Sequence, residues 1–399
     1  MLRRPALLLC LSLAVSLVTQ PSASASDFSS AASAFSQLSK SSTLANPAVM
    51  VLDKLTGEVV YQNNASSPRK PASVLKILTA AAAYTHLSPT DSYTTSLWQG
   101  LDSKTVVIQG GLDPWISYDH KVATKMKRTS LSAIQWSAIE YLQENNSDSL
   151  QGTRILYNNL FPQDIAVIKK YLKFRKVDIE LKKSTSKAAV NQSTALITTS
   201  QSPQLSRIID WALTWSDNLL SDRIARAAAD SAGFTRDFAG VQRTFKKLLT
   251  DFNIDASGLV VKDGSGLSKA NRLTAVQAAQ LLLALSKDAK FEPLLRGLPI
   301  GGVTGTLTDR FLETAPSAVG LVRAKTGTLN GTTNLAGFVE SGEHEYIFVI
   351  ISDQHSKSYT VTKRVRATVD RILGKIANPL LPEIPVLPPI EESATVITP

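Results

Sequence analysis

Residues 71–80 read Pro-Ala-Ser-Val-Leu-Lys-Ile-Leu-Thr-Ala, and the apolar, alanine-rich run continues through Ala83. The stretch predicts a helix that begins just after Pro71 and is built for burial. Ser73 and Lys76 stand three residues apart, so their side chains would share one helix face. A serine hydroxyl becomes a good nucleophile only when a base takes its proton. A lysine can be that base if burial and a second cation nearby lower its pKa.

Ser-x-x-Lys alone is a weak signal, because it occurs three times in the chain. Ser67 and Lys70 flank a proline in a predicted turn, and Ser184 and Lys187 lie in a polar run without periodicity. Only the Ser73 pair heads an apolar helix. On this motif alone, the simpler interpretation of Ser73 is a serine at a helix start.

Two later triplets change that interpretation. Ser216-Asp217-Asn218 follows a predicted amphipathic helix, and Lys325-Thr326-Gly327 lies at the end of an apolar run and occurs once in the chain. Taken alone, the first triplet would be an ordinary helix cap. The order S-x-x-K, S-D-N, K-T-G is the pattern of penicillin-binding proteins and class A β-lactamases. Together the three motifs are strongly specific for a site of that kind.

Residues 1–25 have the features of a secretory signal peptide. Two arginines precede an apolar core at Ala6–Val18, and Ala23-Ser24-Ala25 fits a cleavage site. The core is short for a membrane span, although an uncleaved anchor is the alternative. The single cysteine, Cys10, lies in this segment. We therefore expect an exported mature chain that has no disulfide.

The composition is that of a globular protein with a basic surface. Of 399 residues, 43% are hydrophobic and 19% are charged, and the formal net charge is +10. Eight basic residues fall between Lys169 and Lys187. This run is either a solvated face or a surface that binds anionic wall polymers. We see no nucleic-acid motif and, with export predicted, expect no nucleic-acid partner.

Strand patterns occur near both ends of the chain. Ala48–Asp53 and Glu58–Gln62 form a predicted hairpin that leads into the Ser73 helix, and three further strands are predicted at Val319–Thr328, Asn334–Glu340 and Tyr346–Ser352. The predicted fold class is α/β (α+β), and the strand count near each end agrees with a sheet made from both ends. The expected domains are a signal peptide (1–25), a catalytic domain (26–90 and 200–377), an inserted accessory region (91–199) and a Pro-rich flexible tail (378–399).

Neither a metal nor a cofactor is predicted. The four histidines have no metal-ligand spacing, and His344 and His355 are expected to flank a strand at the surface. The glycine-rich loop Gly301–Thr306 lacks the lysine of a phosphate-binding loop.

Beyond the three motifs, the chain resembles the D-alanyl-D-alanine carboxypeptidase/endopeptidases of the class C low-molecular-mass penicillin-binding proteins. The resemblance covers roughly Ala48 to Ser352. It departs at Ser221-Asp222, where the family usually has Ala-Glu, and the inserted region is shorter than in the larger members. The further matching stretches are Gly111-Leu112-Asp113-Pro114, Ser202-Pro203-Gln204-Leu205, Asp263-Gly264-Ser265-Gly266-Leu267-Ser268, Leu298-Pro299-Ile300, Gly305-Thr306-Leu307 and Leu335-Ala336-Gly337.

The resemblance implies a serine β-lactamase/DD-peptidase-like fold: an antiparallel sheet flanked by helices, a helical subdomain beside it, and the active site between them. It implies that Ser73 attacks the D-Ala-D-Ala bond of peptidoglycan stem peptides. Lys76 would be the base, kept neutral by the nearby Lys325. Ser216 would pass a proton to the leaving amine, and Asn218 would hold Lys76 and the substrate. The substrate-binding residues would be Lys325, Thr326, Gly327 and Thr328.

The resemblance also implies β-lactam antibiotics as inhibitors and a location outside the cytoplasm, in contact with the cell wall. Two alternatives remain open from sequence. A class A β-lactamase needs a glutamate to activate water, and between Asn218 and Lys325 the only glutamates are Glu292 and Glu313. The second alternative is a wall-binding protein that uses the groove only for recognition and catalyses no reaction. The balance of carboxypeptidase and endopeptidase activity, the stem-peptide chemistry and the oligomeric state are not predicted.

Overall fold

The computed structural model describes residues 28–381, so the predicted signal peptide and most of the predicted tail lie outside the described residues. Within this range the chain forms two five-stranded sheets with α-helices and short 3-10 turns. The strands are β1 (Ala48–Asp53), β2 (Val59–Asn63), β3 (Thr94–Gln99), β4 (Thr105–Gln109), β5 (Thr153–Asn158), β6 (Ile179–Lys183), β7 (Leu196–Gln201), β8 (Val322–Leu329), β9 (Thr332–Ser341) and β10 (His344–Ser352). The α-helices are α1 (Ser29–Lys40), α2 (Lys76–His86), α3 (His120–Met126), α4 (Leu131–Glu144), α5 (Pro162–Arg175), α6 (Ser186–Asn191), α7 (Leu205–Thr214), α8 (Asn218–Ser231), α9 (Phe238–Asp251), α10 (Ala275–Ser286), α11 (Glu292–Arg296) and α12 (Tyr359–Ile376).

The first sheet is antiparallel and combines both ends of the chain, as predicted. Its strand order is β2-β1-β10-β9-β8. β1 pairs with the central strand β10, with Ala48 opposite Ile351, and β8 pairs with β9, with Lys325 opposite Ala336. The K-T-G motif therefore lies on an edge strand of this sheet.

Helices cover both faces of the first sheet. Side chains alternate between faces along a strand, so Val49 and Val51 pack with α1 and α12 while Met50 and Leu52 pack with the other helices. On that second side, α2, α7, α8, α9 and α10 share one hydrophobic core. The four alanines at residues 80–83 are buried and small, which lets α8 lie close against α2. The predicted fold class is confirmed.

The second sheet belongs to the region between β3 and β7, which pair with each other, with Thr94 opposite Gln201. Its order is β6-β5-β4-β3-β7, and β4, β5 and β6 run parallel. Strand β6 was not predicted, because it lies inside the basic run and buries little beyond Ile179. Lysines on an edge strand discourage pairing with other chains. The division of the chain into domains stays a prediction.

Two local predictions are wrong. β8 begins at Val322 rather than Val319, because Pro316–Ala318 form a 3-10 turn and Gly320 has φ +82°. His355 is not at the surface: it is 5% exposed, and its Nε2 lies 3.0 Å from the Thr333 hydroxyl. The chain around His355 folds back over β9, which sequence spacing could not show.

Two kinds of feature are absent from residues 28–381. No three His, Cys, Asp or Glu side chains lie close enough together to hold a metal ion. None of the helices in this range has both the length and the apolar character needed to cross a bilayer.

Candidate active site

Ser73 lies where the first sheet meets the helical side, in a tight turn rather than in an α-helix. Residues Ala72–Leu75 form a 3-10 turn, and α2 starts only at Lys76. The difference from the predicted helix arises at Ala72, whose φ of +47° is not α-helical. From β9, the Asn334 side-chain amide donates to the Pro71 carbonyl at 2.8 Å, which ties this turn to the sheet.

A glycine loop closes over the same turn. Asp263 organises the loop, because its carboxylate accepts hydrogen bonds from the backbone N–H groups of Ser265, Gly266 and Ser268. Gly266 has φ +84°, and a Cβ there would lie 1.8 Å from the Ala72 carbonyl oxygen. Only glycine therefore permits the loop to touch the backbone beside Ser73.

Lys76 is the centre of the polar contacts. Its Nζ donates to Ser73 Oγ at 2.9 Å, to Asn218 Oδ1 at 2.8 Å and to the Ser265 carbonyl at 2.7 Å. Burial lowers the pKa of Lys76 from 10.5 to about 7, and the carboxylates of Asp263 and Asp217 oppose that shift. At pH 7 a lysine with this pKa is neutral in about half of the molecules, and the neutral amine can accept a proton.

Two causes were expected for this shift, burial of the helix and the nearby cation Lys325. Burial is the main one. Lys325 is completely buried on β8, and its own pKa is lowered well below the usual value by burial and then by Lys76. Because two charged amines repel each other, their proximity disfavours protonation of both at once.

Ser216 and Asn218 reach the site from the turn between α7 and α8. Ser216 takes a left-handed conformation, with φ +59°. Asp217 caps α8, since its carboxylate accepts from the Leu220 N–H at 3.0 Å. Asn218 is the first residue of α8 and holds Lys76 through its side-chain oxygen. The helix-cap interpretation and the catalytic interpretation of this triplet are thus compatible.

These elements border a cleft of about 1310 Å³. Ser73, Ser216, Asn218, Thr326 and Thr328 line it, as the motifs predicted, whereas Lys76 and Lys325 lie buried beneath its surface. Gly327 does not line the cleft. A Cβ on Gly327 would lie 2.8 Å from the Pro71 carbonyl oxygen, so this glycine allows β8 to pack against the Ser73 turn.

Sequence analysis did not assign three residues at or near the cleft. Thr306 Oγ1 lies 2.8 Å from Thr326 Oγ1, and Arg366 on α12 lines the cleft. Asp222, at one of the departures from the family pattern, accepts from the Gly264 N–H and from Gln163 of the region between β3 and β7. Thr306 was within a quoted family-like stretch, but no local signal marks Arg366.

Comparison with known proteins identifies the family of the chain. Residues 32–138 and 164–376 match the D-Ala-D-Ala carboxypeptidase 3 (S13) family. Carboxypeptidase DacB of Mycolicibacterium smegmatis is 26% identical over 359 residues, which cover 78% of each chain. The D-alanyl-D-alanine carboxypeptidase of an Actinomadura species is 34% identical over 164 residues, covering 39% of this chain and 29% of the relative.

The fold is also that of a solved relative. Penicillin binding protein 4 (dacB) from Haemophilus influenzae has a TM-score of 0.63 and 18% identity, covering 85% of this chain and 98% of that chain. That protein has also been solved with a β-lactam bound. The resemblance seen in the sequence is thereby confirmed, and the chain belongs to the D-Ala-D-Ala carboxypeptidase 3 (S13) family of serine peptidases.

Proposed function

We propose that this enzyme cleaves the terminal D-Ala-D-Ala bond of peptidoglycan stem peptides through an acyl-enzyme on Ser73. One observation carries the proposal: a buried Lys76 amine, with a pKa of about 7, lies 2.9 Å from Ser73 Oγ. A nucleophile and a base within hydrogen-bond reach, with the base held by a third group, is the arrangement that activates a serine. Asn218 is that third group.

The reaction follows from these positions. Neutral Lys76 takes the hydroxyl proton as Ser73 Oγ attacks the carbonyl of the penultimate D-Ala. The tetrahedral intermediate collapses, the C–N bond breaks, and a proton passes through Ser216 to the departing amine of the terminal D-Ala. Water then attacks the ester, gives its proton to the base, and releases the shortened peptide and Ser73.

Two groups of contacts would hold the substrate. The backbone N–H groups of Ser73 and Thr328 would form the oxyanion hole, each worth roughly 3–4 kcal/mol in comparable sites. Lys325, Thr326 and Thr328 would bind the terminal carboxylate, which favours the charged form of Lys325. Because β8 is an edge strand, an extended peptide can pair alongside it. The same geometry fits a D-Ala–diamino-acid cross-link, which is the endopeptidase reaction.

The experiment that tests this proposal is labelling with a fluorescent penicillin. Ser73→Ala should abolish the label while leaving thermal unfolding unchanged. Ser67→Ala is the matched control, because Ser67 heads another S-x-x-K sequence and should label normally. A Ser73→Ala variant that still labels or still releases D-Ala would remove Ser73 from the scheme.

The lifetime of the label separates the remaining alternatives. A penicilloyl-enzyme that persists for minutes, together with D-Ala release from stem peptides, supports the peptidase. A label lost within seconds with penicillin turnover would indicate a β-lactamase. A protein that is neither labelled nor active would support the third alternative, a wall-binding protein without catalysis.

Export and wall contact are part of the same proposal. Support comes from the features of residues 1–25 and from membership of a family that acts on peptidoglycan precursors. The basic run from α5 to α6 is a second candidate contact, because its eight cations are exposed and form none of the ion pairs found in residues 28–381. Binding to isolated walls that falls steeply with salt would support an anionic wall polymer as partner. Salt-independent binding would contradict it.

A further inference from the structure

Arg366 brings a guanidinium group to the K-T-G strand from the opposite wall of the cleft. It lies on α12, and its terminal nitrogen donates to Thr328 Oγ1 at 3.2 Å. The same cleft is lined by Ser73 and Thr326. Arg366 is therefore a cation at the place where the proposed reaction puts the substrate's C-terminal carboxylate.

No carboxylate lies within ion-pair distance of this arginine, and the repulsion from Arg310 exceeds the attraction from Asp370. Among residues 28–381, Arg366 forms no ion pair, whereas its neighbour Arg310 is paired with Asp370. Arg366 is half-buried. A cation that is partly removed from water and has no anionic partner favours an incoming anion.

The other candidate cation is less suited to attract that anion in the free enzyme. Lys325 is fully buried, and both burial and Lys76 disfavour its charged form, with its pKa lowered well below the usual value. Across from Thr328, β9 offers Thr333, which is uncharged. Burial and the nearby Arg310 lower the pKa of Arg366 too, but an arginine starts from a much higher pKa than a lysine and stays charged near neutral pH.

The geometry points to Arg366 as a specificity-determining residue that binds the substrate's C-terminal carboxylate together with the Thr328 hydroxyl. Because Arg366 donates to Thr328 Oγ1, the hydroxyl hydrogen is free to point at the carboxylate. The remaining guanidinium N–H groups can donate to the same anion. This inference rests on the proposed reaction at Ser73 and deepens it, since it predicts a preference for leaving groups that carry a carboxylate.

The test compares two ester substrates that form the same acyl-enzyme. One is a diacetyl-L-lysyl-D-alanyl-D-lactate, whose leaving group carries a carboxylate; the other is the matching D-alanine methyl ester, whose leaving group carries none. In Arg366→Gln, kcat/KM for the lactate ester should fall about 10–100-fold, the effect of one charge-assisted hydrogen-bond pair. The methyl ester should change by less than about twofold by the same reasoning.

A matched control lies on the same helix. Arg364 also lines the cleft, but it is exposed and makes no hydrogen bond to the K-T-G strand in the described residues. Arg364→Gln removes the same charge and should leave both esters unchanged. Arg366→Lys should recover part of the lactate-ester activity, because it restores a cation without the planar fork.

Three outcomes would overturn the inference. Equal losses on both esters would mean that Arg366 supports the cleft without contacting the carboxylate. An unchanged kcat/KM of Arg366→Gln for the lactate ester would mean that Lys325, Thr326 and Thr328 bind the carboxylate without Arg366. Failure of the proposed function is distinguishable, because the unmodified enzyme would then show no Ser73-dependent hydrolysis of either ester, and the inference would fall with it.

Discussion

The pKa of Lys76 predicts how acylation depends on pH. An ordinary lysine is neutral in about one molecule in three thousand at pH 7, whereas a pKa of about 7 makes about half the molecules competent. The competent fraction should rise about tenfold between pH 6 and pH 8 and then level off. Stopped-flow measurement of acylation by a fluorescent penicillin, at saturating and sub-saturating concentrations, gives this rise of the rate with pH directly.

The assignment of Lys76 as the base can also be tested by removing a carboxylate that raises its pKa. Asp217 raises the pKa of Lys76, so Asp217→Asn should move the midpoint of the acylation profile to lower pH. Asparagine caps helices as well as aspartate does, so α8 should start unchanged. A wild-type rate that is flat from pH 6 to 8, or a midpoint that rises in Asp217→Asn, would refute the assignment of Lys76 as the base.

Two further predictions concern the stability of the fold. Gly266→Ala should abolish penicillin labelling and lower the melting temperature more than Gly233→Ala does. Both glycines have positive φ, which costs a residue with a Cβ about 1–2 kcal/mol. Only at Gly266 would the Cβ also clash with backbone atoms. Equal shifts in the two variants would contradict the close approach. Arg223→Met should cost roughly 3–5 kcal/mol in denaturant unfolding, because it leaves Asp164 buried and unpaired. The exposed Lys247–Asp251 pair is the control, since Lys247→Met should cost only about 0.3–0.5 kcal/mol; similar values for both would contradict the prediction.

Much of the site could be predicted because its signals are local. Ser73 and Lys76 are one helical turn apart in sequence, and the other two motifs are contiguous triplets. The strands near each end were predicted from short apolar runs, and the resemblance to a known family implied the sheet that they form. These features depend on short-range spacing, which a sequence displays directly.

What could not be predicted depends on the environment made by distant segments. Burial of the Lys76 amine is produced by the loop around Ser265 and by α8, so the sequence could not show that burial is the main cause of its lowered pKa. Arg366 lies in a helix whose pattern indicates only an amphipathic surface. His355 was placed at the surface because a histidine after a strand has no sequence mark of burial.

The strand order has a consequence for when the protein acquires activity. The central strand of the first sheet, β10, is the last strand in residues 28–381, and it pairs with β1, the first. A chain emerging from the ribosome therefore contains Ser73 and Lys76 long before it contains β10, the strand that pairs with both β1 and β9. Long-range pairing of this kind folds late. The enzyme is consequently expected to stay inactive until β10 has been synthesised.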